Sequence, residues 1–137
     1  MNDKKIFIVK VKGESMLPCI KDGEILPVVT RCHKIESNDI VLFNKMGKTV
    51  IHRILAKTNF NGENYFITKG DNNLFIDMFI PINEKEILGK VIFLNSEEYI
   101  TNFKFWSKIA RGYLKLFFFS VNIWNLFRKF IKKGERR

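Results

Sequence analysis

The hydrophobic rhythm of this chain changes once, near Asn95, and that change limits what it can fold into. Before it, apolar runs are short, often β-branched, and broken every few residues by glycine, asparagine or aspartate. Runs at 5–12, 24–30, 40–43, 49–56, 65–68 and 87–94 read as strands, with turns at 21–23 and 46–48 and a hairpin loop over 59–64. Many short strands at close spacing predict an all-β body over 1–98, folded as a small barrel or orthogonal sandwich. After Asn95, Trp106, Ile109, Tyr113, Leu116, Val121, Trp124, Phe127 and Phe130 recur at three-to-four spacing, and lysines and arginine fall mainly on the other side. That pattern predicts a basic, amphipathic helical tail over 99–137, as one helix or as two broken near Ser120.

At 137 residues the chain has room for one domain with a real core. Its formal net charge of +10 is unevenly spread: residues 1–101 hold 14 basic and 13 acidic residues, whereas 102–137 hold 10 basic residues and only Glu135 as an acid. A nearly neutral body argues against nucleic acid as a partner, and a basic, aromatic tail argues for an anionic membrane surface. The apolar stretch at 116–127 is too short to span a bilayer and suits the headgroup layer, with packing on the body or on a membrane partner protein as the alternative. No N-terminal signal peptide is expected, because residues 1–5 are polar and Lys10 and Lys12 break the run that follows. Cys19 and Cys32 read as two free thiols; with His33 they fit no zinc spacing, and neither a metal nor a cofactor is expected.

Three separated segments carry chemistry. Gly13-Glu14-Ser15-Met16-Leu17-Pro18 offers a serine in a turn, where a neighbouring base would be needed to make its hydroxyl a nucleophile. Thr49-Val50-Ile51-His52-Arg53-Ile54 puts Val50, His52 and Ile54 on one strand face, a place for a general base among apolar neighbours. Thr68-Lys69-Gly70-Asp71-Asn72-Asn73, with Asp77 beyond it, offers two carboxylates that could orient an imidazole. Asp71 lies in a tight turn beside asparagines that accept left-handed geometry. Asp77 stands between Ile76 and Met78, where a charge needs a partner, and His52 is a suitable one. Lys48 and Lys69 read as solvated turn lysines.

Together, in this order, the three blocks resemble type I signal peptidases over roughly residues 10–94. The resemblance is to the endoplasmic-reticulum and archaeal kind, in which a histidine stands where most bacterial members carry a catalytic lysine. It implies a signal-peptidase-like β fold and a serine endopeptidase that removes signal or leader peptides from secreted precursors. In that pattern Ser15 is the nucleophile, His52 the base and Asp77 the orienting carboxylate, with Asp71 bracing the turn and the histidine region. The substrate would be a signal- or leader-bearing polypeptide, bound as an added strand at a sheet edge with small residues first and third before the cut. Gly13 replaces a serine that often helps the oxyanion, so the backbone N–H of Ser15 is the expected donor. The chain is expected to be membrane-associated, peripherally or through its C-terminal tail. Two other readings stay open: a dedicated leader peptidase for one small ribosomally made peptide, and an inactive membrane-associated module of the same fold.

Overall fold

The computed structural model describes residues 4–30, 34–77, 81–92 and 103–134. Seven strands are formed: β1 (Ile6–Lys10), β2 (Ile25–Val29), β3 (Ile40–Lys45), β4 (Lys48–Phe60), β5 (Glu63–Lys69), β6 (Ile82–Asn83) and β7 (Ile87–Val91). Among the described residues a 3-10 turn (Glu84–Glu86) precedes β7, and one α-helix follows the strands, α1 (Phe103–Gly134). The strands pair antiparallel in one sheet of order β1-β2-β7-β3-β4-β5-β6. The edge strands β1 and β6 do not pair, so the mainly-β body is an open sheet and not a closed barrel.

Turn chemistry sets the two long hairpins. Asn61 and Gly62 both have positive φ, at 51° and 81°, the geometry a two-residue turn needs to match strand twist. The expected loop over 59–64 is therefore shorter than its polar composition suggested: Asn59 and Asn64 are paired strand residues, joined by a side-chain hydrogen bond of 3.2 Å. Met46 and Gly47 repeat the geometry between β3 and β4. β6, only two residues long, carried no periodic signal.

The core lies on both sides of β3. Ile40 and Leu42 join Met16, Ile20, Leu26 and Val28, while Val41 and Phe43 join Ile54, Phe66 and Ile82. Both faces of β3 are thus covered. A buried side chain such as Phe43 contributes about 1.5–3 kcal/mol relative to exposure.

Helix α1 is continuous through Ser120, whose hydroxyl donates to the Phe117 carbonyl at 2.6 Å and so bonds within the helix. Its first half belongs to the body. Ala110 and Leu114 are buried against Leu55, Ala56, Ile67 and Ile76, and Phe118 stacks on Phe60 with centroids 4.4 Å apart. Farther along, Phe119, Trp124, Phe127 and Phe130 are exposed. Among the described residues no helix is long and apolar enough to cross a membrane. The expected boundary at 98/99 and the residues Cys32 and His33 lie outside the described residues.

Candidate active site

His52 sits near the middle of β4, opposite Val41, on the same strand face as Ile54. It is buried, and the edge of its ring meets Phe43 with centroids 6.3 Å apart. Its Nδ1 lies 2.6 Å from Asp77 Oδ2. The same carboxylate oxygen accepts the Thr68 hydroxyl at 2.7 Å, and the Asp77 N–H donates to the Thr68 carbonyl at 2.9 Å. Thr68 is fully buried on β5 opposite Ile54, so Asp77 is tied to a rigid strand at its backbone and its side chain. Sequence reasoning did not single out Thr68; strand alternation, which turns Phe66 and Thr68 to the same face, was the available signal.

Asp71 takes a different partner. Arg53, next to His52, donates to both its oxygens, from Nε at 2.8 Å and Nη2 at 2.7 Å. Arg53 Nη1 also reaches the Asn38 carbonyl at 3.1 Å and its side-chain oxygen at 2.9 Å. Burial lowers the Arg53 pKa, but the bonds and charge of Asp71 outweigh that and raise it above its ordinary value, leaving a fixed cation. Arg53 Nη2 also approaches the Cys19 thiol at 3.6 Å, a free cysteine whose pKa burial raises. The two carboxylates thus divide, Asp77 to the imidazole and Asp71 to the guanidinium.

Ser15 is half-buried in the turn after β1. That turn is anchored by Met16 and Ile20, both buried in the core, and by the Gly13 N–H donating to Asp22 Oδ1 at 2.7 Å. The turn that carries Asp71 grips it from the other side. The Asn72 N–H donates to the Ser15 carbonyl at 2.8 Å, and Asn72 Nδ2 to the Glu14 carbonyl at 3.1 Å. Gly70 permits this approach, because a Cβ there would stand 2.7 Å from the Ser15 carbonyl oxygen.

Ser15 and His52 line one cleft of about 440 Å³, with Met16, Leu42, Val50 and Ile51 as apolar walls. No hydrogen bond joins the Ser15 hydroxyl to His52. Lys48 is exposed, as expected. Lys69 is not: it is buried, its Nζ donates to the Gly70 carbonyl at 3.2 Å, and it lies 5.2 Å from the centre of the Trp106 ring. Burial lowers its pKa, against the opposing pull of Asp71 and Asp77.

The chain is similar to the signal peptidase complex catalytic subunit SEC11 of Candida albicans (strain WO-1), 32% identical over 85 residues that make up 61% of this chain and 51% of that protein. The corresponding subunit of Saccharomyces cerevisiae (strain YJM789) is 35% identical over 86 residues, 61% of this chain and 52% of the relative. The chain thus spans about half the length of the curated relatives it matches. A family model described as Peptidase S24-like matches residues 1–92, and the chain belongs to that family.

Proposed function

We propose that this chain is a serine endopeptidase that removes signal or leader peptides from precursors. Ser15 attacks the scissile carbonyl while His52 takes its proton and returns it to the leaving amine; water then repeats the sequence on the acyl-enzyme. Asp77 holds the imidazole. With Nδ1 committed to Asp77 at 2.6 Å, Nε2 is the ring nitrogen left for the hydroxyl. That bond, beside a cleft lined by both Ser15 and His52, is the observation that carries the reading. Among the described residues the Ser15 N–H has no acceptor, which suits it to a developing oxyanion. Asp71 acts at one remove, through Arg53 and the turn that grips Ser15.

The apolar walls of the cleft suit an extended segment with small side chains, and similarity to the SEC11 subunits supports a signal-bearing precursor as substrate. The body over 1–98 would act as the catalytic unit, with the tail from 99 as its attachment. The exposed aromatic residues and the lysines of distal α1 fit a membrane surface rich in anionic lipid, where a membrane-bound precursor is concentrated. A Ser15→Ala variant tests the reading on a quenched fluorescent leader peptide. Its kcat/KM should fall by roughly 1,000-fold or more with an unchanged circular dichroism spectrum; wild-type turnover in the variant would remove the nucleophile and the reading with it.

A further inference from the structure

Lys69 is a buried cation that the proposed mechanism does not use. Its side chain runs under the indole of Trp106, from the first turn of α1, and its ammonium donates to the carbonyl of Gly70. Gly70 begins the turn that grips Ser15. It cannot carry a Cβ without meeting the Ser15 carbonyl, and two residues later Asn72 bonds the carbonyls of Ser15 and Glu14. A continuous path therefore runs from helix to serine: the Trp106 ring, the Lys69 ammonium, the Gly70 carbonyl (which also accepts the Asn73 N–H at 3.0 Å and so closes the turn), and Asn72 within that turn, bonded to the Ser15 backbone.

We propose that Lys69 is a positioning residue for Ser15, and that Trp106 makes the root of α1 part of the support of that serine. The physical reason is the cost of leaving an ammonium buried. Most of its solvation is lost, and the indole face and one carbonyl supply what replaces it. An ammonium so confined has few alternative positions, and it fixes the Gly70 carbonyl to which it donates. Lys69 also lies where the charges of both Asp71 and Asp77 act on it, so its ammonium is held from the side of the Gly70 turn as well. A displacement of the serine of about 1 Å is enough to lower turnover about 100-fold.

The proposal rests on Ser15 being the nucleophile, and the experiment separates the two ideas. In full-length protein, Lys69→Met keeps most of the side-chain volume and removes the charge, Trp106→Leu removes the ring, and Lys69→Arg keeps a cation. Hydrogen exchange by mass spectrometry needs no substrate. In Lys69→Met and Trp106→Leu, peptides covering 12–20 and 70–77 should exchange at least about fivefold faster, with β3 unchanged. A general loss of structure would instead speed β3 as well, and that result, or no change in the two turns, overturns the proposal. On the leader peptide, both variants should lose about 10- to 100-fold in kcat with KM within about twofold. Lys69→Arg should recover at least part of the loss, and the double variant should fall short of the product of the single effects. Multiplicative losses, or wild-type kcat in Lys69→Met, also overturn it. A wild-type protein that cleaves nothing would instead count against the proposed function, leaving the exchange result to decide the role of Lys69.

Discussion

Asp77 and Asp71 lie six positions apart, and their partners assign them different consequences. Asp77→Asn keeps an oxygen for Thr68 but loses the charge that holds the imidazole, so kcat should fall on the order of 10³- to 10⁴-fold with little change in melting temperature. Asp71→Asn strands a buried guanidinium and should cost about 3–5 kcal/mol of stability, read in a urea titration. Lys69 gives a pH dependence. Burial holds its folded pKa below the ordinary 10.5, so between the two values the unfolded chain binds the extra proton. Stability contributed by this site therefore rises with pH across that window, and Lys69→Met should lose that rise relative to wild type in melts taken up to 10.5. The His52–Asp77 contact was legible, from strand alternation at His52 and from the apolar flanks of Asp77. The Arg53–Asp71 pair was not, because nothing in the strand pattern of 49–54 marks Arg53 for burial, and only the folded Gly70 turn brings Asp71 to it. Lys69 was misjudged as solvated because its cover, Trp106, comes from a distant helix.

Helix α1 has two halves with different duties. Leu114, 2% exposed in the core, should cost about 2–5 kcal/mol of stability when cut to alanine, whereas Phe127→Ala, at an exposed site, should leave the denaturation midpoint nearly unchanged. Denaturant melts of the two variants check this directly. The helix itself was written in its three-to-four spacing, and so was the possibility of a break at Ser120. What periodicity left open was which half meets the body, since the apolar stripe runs past the last residue that finds a partner there. In the sheet, the strand signals of 49–56 and 65–68 grew into longer observed strands because a two-residue turn lets polar residues such as Asn59 and Asn64 join the ladder. Sheet closure was the part composition could not decide. It depends on whether the edge strands meet, and the chain pattern specifies strands without specifying their outermost neighbours.

Across the whole molecule, charge and apolar exposure coincide at one end. The segment 102–137 carries 10 of the 24 basic residues, and its distal aromatics project away from the core. Binding to vesicles containing anionic lipid should exceed binding to zwitterionic ones and weaken in 1 M salt, where the Debye length falls to about 3 Å. Phe127→Ala should lower that affinity and leave any turnover of the leader peptide in solution unchanged, measured by co-sedimentation beside the peptide assay. The cleft and the exposed aromatic surface are apart: β1, β3, β4 and the turns around them line the cleft, and the far end of α1 carries the exposed aromatics.

His52 and Arg53 are consecutive on one strand, yet each serves its own carboxylate. Alternation makes this a readout of frame: sliding β4 by one position past its neighbours would turn the imidazole to the opposite face of the sheet, away from Asp77, and bring the guanidinium or Ile51 to the place it leaves. The tight Met46–Gly47 reversal and the irregularity between Ile54 and Ala56 bracket the pair and lock its alignment. An inserted or deleted residue between those brackets would part the imidazole from Asp77 while leaving every other residue of the cleft in the chain.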